Sequence, residues 1–486
     1  MKDNTFTIKL DKFYQGFSPT AHLSSLTQMG NSGSASVMTN CDIISDPNVL
    51  TQGPALTNLT NGTQTNPGVV TELIHFIMDK AVSDGVTYGI GATKLFKITP
   101  STVTSDATWP RVVSNCLDGE GIIDLKGSLY YFYNRSGTIG EIGKYNLDAT
   151  FTDAWGSTIP TGKAALQSAL HPVAAKEDIM AFGNGRYMGT YVVATDTLAP
   201  TKLDFGNGYE VADVIFHANQ WWIAVNSGTT GNNRNTGQIY LYDGAAINSV
   251  LSDETGIGYQ RIGFLYVMNG MVYVCYQDLS SAGGYKIGYI SGRQIKPLAN
   301  FTGSLPTYAQ KTLYKDTILF LSSGSVYSFG AVTDVLPLQI SQIVDGGYAT
   351  CGAMAAPFGV PMIASTDGST NFRLAKFSGY DTSCTWKSII IPTTSGRMKG
   401  YIDSITVLTN TLASGARADL TVEINQTETT STVQQITTTG KRRHIFNNFG
   451  LVNLEDFRIA LSWANGNATN NVAIREIQVN GHFLES

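Results

Sequence analysis

Charge is scarce in this chain. Only 14% of its 486 residues are Asp, Glu, Lys or Arg, against about a quarter in ordinary soluble domains, and the formal net charge is −5. No basic stripe is available to wrap nucleic acid, because phosphate binding draws on clustered Lys and Arg. Passive, non-specific contact with DNA stays open. Cysteine is also sparse. Cys41, Cys116, Cys275, Cys351 and Cys384 are odd in number, far apart and without metal-ligand spacing, so neither a disulfide framework nor a zinc site is expected. No stretch approaches a membrane span, and Met1–Thr5 is not followed by the apolar segment of a secretory signal. Synthesis in a cytoplasm is the expectation.

Catalytic signatures are missing too. His22, His75, His171, His217, His444 and His482 are scattered, and no pair has the His-Glu-x-x-His spacing of a zinc hydrolase. There is no Gly-x-Ser-x-Gly elbow, and Gly89-Ile90-Gly91 and Gly283-Gly284 do not lead into helices as a phosphate-binding loop would. Ser365–Phe372 resembles the Ser-x-Asp-x-Gly-x-x-Trp turn of sialidase-type propellers, but it is one residue out of register and occurs once. Asp118, Glu120, Asp253 and Glu254, the carboxylates a glycosidase would need as a pair, are read as turn residues at unrelated positions. No enzyme, cofactor or metal is expected.

What the chain has is a loose repeat. Lys94–Ile98, Ile142–Leu147, Thr201–Phe205, Gln238–Gly244, Lys286–Gly292, Ser325–Gly330 and Phe372–Gly379 recur roughly 36 to 60 residues apart, near the ~40–50 residue period of four-stranded propeller blades. Ahead of several lies a hairpin: Ile123–Tyr133, Ile215–Val225, Leu265–Tyr276 and Thr312–Leu321. Each carries a small polar pair between apolar runs. Asn269-Gly270 is the plainest, since Asn-Gly accepts the positive φ angles of a tight hairpin turn. The apolar runs suit inner strands packed on both faces, so most of the rings in Tyr130–Tyr133 and Trp221-Trp222 are assigned to the core.

The predicted fold is therefore all-β: a propeller of about seven blades, six to eight being compatible, over residues 71–380. Beyond it, Lys387–Ile391, Tyr401–Leu408, Ala418–Ile424, Arg458–Trp463 and Val472–Val479 alternate cleanly and predict a C-terminal β-sandwich or jelly roll over residues 381–486. Residues 1–70, rich in Ser, Thr, Asn and Gly, read as an extended N-terminal arm. One or two helical turns are expected at Lys163–Ala169. Because a propeller must close its ring, Phe6–Leu10, or a strand just before Leu73, is expected to pair with the last blade near Met362–Ala364 or Ile389–Ile391. Lys441, Arg442 and Arg443, the only dense basic cluster, form a candidate partner contact.

The opening segment Gln15-Gly16-Phe17-Ser18-Pro19, Gly33–Ile43 and Asp46–Leu56 resembles the start of β-propeller virion proteins of tailed bacteriophages, of the tail nozzle and tail-hub type. That resemblance carries no catalytic residue. It implies a structural tail protein (nozzle, hub or adaptor) that forms an oligomeric ring with copies of itself and with other virion proteins, is made in the host cytoplasm and ends in the virion. Phage DNA would pass a ring whose negative charge keeps it from sticking. The alternative is a carbohydrate-binding receptor-recognition protein of a phage tail, with exposed aromatic rings holding host sugars.

Overall fold

The structure is a computed structural model. It describes residues 5–13, 35–46, 48–65, 72–76, 86–91, 93–146, 150–158, 166–227, 237–251, 259–278, 284–315, 317–330, 340–343, 350–366, 371–392, 399–424, 429–447, 449 and 454–484. Strand dominates, and the only α-helix among these residues is the single turn Trp155–Thr158. Leu166–Gln167, part of the stretch expected to be helical, instead pairs as a short strand with Ile139 and Gly140.

Local chemistry accounts for the hairpins. At Asn269-Gly270 both residues have positive φ, 51° and 73°, which lets Tyr259–Met268 return as Met271–Asp278. Lys126-Gly127 does the same for Asp118–Leu125 and Ser128–Asn134, with φ of 49° and 75°. Repeated along the chain, such hairpins give seven antiparallel units, over residues 72–112, 118–167, 173–204, 209–251, 259–302, 311–343 and 350–377, of four strands each except the second, which has five, and the seventh, whose fourth strand comes from outside its range. The first strands of successive units pack side by side, except that the first strand of the fifth unit, Tyr259–Met268, packs chiefly against the second strand of the sixth, Thr317–Ser322. The seventh, Thr350–Ala355, also packs against the first, Glu72–Phe76, so the ring is complete. It is a seven-bladed propeller.

One blade is organised differently from the expectation. Thr201–Phe205 falls largely on the fourth strand of its blade, Thr197–Asp204, while the third is Tyr187–Val192. Gly189 breaks the apolar look of that third strand, and the ring of Phe182 covers it so closely that a Cβ has no room.

Where it is described, the N-terminal segment is extended and its strands are laid into neighbouring sheets. Thr5–Leu10 adds an edge strand to the C-terminal sandwich by pairing with residues 477–482, and its alternation buries Phe6, Ile8 and Leu10. Ala35–Thr39 joins the other sandwich sheet beside Thr385–Ser388 and also touches the outer strand of the sixth blade, Thr39 lying parallel to Ser341. Leu56–Thr65 then completes the seventh blade as its outer strand, against Asn371–Phe377. The ring is thus closed by a strand preceding Leu73, paired not with Met362–Ala364 but with the strand that follows it. The sandwich core is a single cluster in which Phe6, Ile8, Leu10, Met38 and Leu50 pack among Trp386, Ile405, Leu461 and Trp463. Cys41 and Cys384, both buried free thiols, bring their Sγ atoms to 2.7 Å across this junction.

Candidate functional site

Aromatic and ionic side chains at the centre of the propeller serve as bracing. Asp213 lies on the first strand of blade four, 3% exposed. Its Oδ2 accepts the Leu265 amide of blade five at 2.7 Å and the Lys311 ammonium of blade six, and its Oδ1 accepts the Val214 amide at 2.9 Å. Burial pushes the carboxyl above its ordinary value, opposed by Lys311. Between blades seven and one, the turn Tyr308–Gln310 packs against the first strands, and the Tyr308 hydroxyl reaches the Glu120 carbonyl of blade two. Tyr130, Tyr131, Phe132 and Tyr133 are all buried, more than alternation alone would place inside, because the strand is packed on both faces.

Among the described candidate carboxylates, Asp118 and Glu120 come together through a side-chain hydrogen bond, and burial raises the Asp118 carboxyl above its ordinary value. Among the described residues no cluster of three or more His, Cys, Asp or Glu could hold a metal ion. Asp118 and Glu120 open the first strand of blade two rather than sitting in loops, and the Glu120 carboxylate accepts the Asn134 amide at 3.1 Å. Asp253 and Glu254 lie outside the described residues. His171 is fully buried, with Nδ1 2.8 Å from the Gly183 carbonyl, and burial pushes it down to about 4. His217 meets the Gly270 carbonyl at 3.2 Å, linking blades four and five. His482 pairs with Asp403 at 2.9 Å. His22 and the side chain of His75 lie outside the described residues.

Lys441, Arg442 and Arg443 run from a turn into Arg443–Asn447, the edge strand of one sandwich sheet. All three are exposed. Arg442 Nε donates to Thr411 Oγ1 at 2.6 Å. The alternation of the strand turns Arg443 and Ile445 outward and His444 inward, where burial and then Lys441 lower its pKa. The cluster therefore stands on an open sheet edge next to an exposed Ile445.

A second candidate has no counterpart in the sequence reading. Where the seam of blades six and seven meets the N-terminal segment and the sandwich, a cleft of about 350 Å³ opens. Tyr314, Tyr327, Phe377 and Tyr380 supply its aromatic wall, and Asp42, Gln52 and Asn471 much of its polar wall. Gln52 is 1% exposed. Its Nε2 donates to the Asp381 carbonyl at 3.0 Å, while its Oε1 has no partner among the described residues. Asn471 Nδ2 donates to Thr51 Oγ1 at 2.8 Å. These residues are up to 429 positions apart in the chain, from Asp42 to Asn471. No local pattern could have marked them; the only available signal was the resemblance-bearing segment that contains Asp42 and Gln52.

No protein-family model matches the chain, and no curated protein matches it. Solved structures do. The extracellular domain of a hybrid two-component system, BT4673, of B. thetaiotaomicron is 13% identical, with a TM-score of 0.47, over 81% of this chain, which spans only 47% of that one. The AfRom2 CNH domain is 12% identical, TM-score 0.41, over 67% of this chain and 100% of that one. The N-terminal domain of Nup159 is 8% identical, TM-score 0.41, over 66% and 95%. The propeller assignment itself stands on the order of the sheets and the closed ring of first strands.

Proposed function

We propose that this chain is a structural component of a tailed-phage virion, a tail nozzle, hub or adaptor protein that works as a homo-oligomeric ring among other virion proteins and carries no enzymatic activity. The observation that carries the reading is mechanical. Residues 35–65 run from the sandwich to the edge of blade six and on into blade seven, and one continuous eleven-stranded sheet spans blade six and the sandwich. A load passing between the two parts is thus borne by strand hydrogen bonds, with Ile44 packed against both the sandwich core and the core between blades six and seven. That suits a part that transmits force without changing shape, and the ring of blades presents little charge to its neighbours. The resemblance of residues 15–56 to phage tail propellers points the same way. Mass spectrometry of purified particles from the producing host, with light scattering of the isolated protein, tests the reading. The expected result is incorporation into particles at several copies each and an oligomer in solution. A monomer at micromolar concentration that is absent from every particle would overturn it.

A further inference from the structure

The cleft between blades six and seven and the sandwich has a lining that narrows what can occupy it. We infer that it binds a neutral saccharide of one or two rings, an activity independent of the tail reading. Among the described residues no Lys, Arg or His lines the cleft; the Lys315 ammonium at its margin is held by the Ser45 hydroxyl at 3.0 Å and lies 5.1 Å from the centre of the Tyr314 ring, so an anion deep in the cleft would lose its hydration with little to compensate. Its one carboxylate is already engaged. Asp42 Oδ1 accepts the amides of Ile44 and Ser45 at 2.8 and 2.9 Å, and Oδ2 accepts the Ser45 hydroxyl at 2.5 Å. Little capacity is left for a cation.

The remaining lining is neutral: aromatic faces, hydroxyls and amides, together with aliphatic side chains such as Ile44, Leu319, Val326 and Val360. An aromatic face takes the apolar C–H side of a sugar ring, while amides, offering donors and acceptors in one plane, match hydroxyls that do both. Gln52 adds an independent sign. A fully buried amide oxygen without a partner is rare in native proteins; this one belongs to a side chain that lines the cleft, and a turn of that side chain would offer it to a ligand hydroxyl. The volume of about 350 Å³ lies near the lower end of small-molecule sites, about 300–1,000 Å³, which limits the guest to one or two rings.

The test uses the full chain, titrated with methyl glucoside, galactose, N-acetylglucosamine, maltose and lactose by saturation-transfer NMR and calorimetry. Tyr380→Ala removes an aromatic wall, and Ser378→Trp fills the mouth. Each of these residues is tied to its surroundings by a backbone amide, Tyr380 to the Ala468 carbonyl and Ser378 to that of Ala55, which both substitutions leave in place, and thermal melting checks the fold. One saturable site is expected for at least one sugar, weakened about tenfold or more by either substitution. Three results would each overturn the inference: no saturation by any of these sugars at about 10 mM, unchanged affinity in both folded variants, or an apolar dye that fills the cleft and that no saccharide displaces.

Discussion

Replacing Lys311 with methionine is the sharpest probe of how the propeller holds together. Among the described residues the ammonium of Lys311 is the only counter-charge in contact with a carboxylate that is 3% exposed and bound otherwise by two backbone amides. Lys311→Met keeps the apolar stem beside Phe264 but strands the Asp213 charge. Removing one partner of a buried pair costs about 3–5 kcal/mol, a large share of the roughly 5–15 kcal/mol by which a folded domain is stable. In the double variant Asp213→Asn with Lys311→Met no buried charge remains, and most of the loss should be recovered. The effect has a pH signature. Burial already raises the Asp213 carboxyl, and losing Lys311 raises it further. A carboxyl with a raised native pKa favours the folded state below its unfolded value of about 3.9 and penalises it as pH climbs through the native value. The gap between Lys311→Met and the parent should therefore be narrow near pH 4 and full at neutral pH. Urea unfolding followed by tryptophan fluorescence at pH 4.5 and 7.5 reads both quantities. An unchanged midpoint at pH 7.5, or a gap that does not shrink on acidification, would refute the reasoning.

Acidification has a second target in His171, buried neutral with a pKa near 4. The stability that its neutral form contributes is complete above about pH 6.5 and is lost as pH falls through 4, about 3 kcal/mol by pH 4; in thermal melts His171→Gln should flatten that acid limb, and a parallel limb would exclude His171 as its source. Gly143→Ala would drive a methyl into the buried ring of Tyr131, and a loss of about 1–3 kcal/mol is expected, measured as a fall in denaturation midpoint. Deleting residues 1–66 removes the outer strand of blade seven and strands from both sandwich sheets. The truncated chain should fail to melt cooperatively, and parent-like melting would show that these pairings are dispensable.

Seven hairpin units and their class were readable in the residues, because a strand's period of two and the positive φ demanded at Asn269-Gly270 are local properties carried by neighbouring residues. The same locality explains the clean alternation of Phe6–Leu10, which foretells a strand with one buried face. Nothing in that alternation says whose face it covers. Only the tertiary structure decided that Thr5–Leu10 belongs to the sandwich, that Leu56–Thr65 closes the ring, and that Asp213 meets Lys311 across blade five. Periodicity specifies which side of a strand is apolar, whereas pairing partners are chosen by the global competition to bury those sides, in which residues hundreds of positions apart are equivalent until the chain has folded. The cleft between blades and sandwich, built from four such distant segments, belongs wholly to that second kind of information.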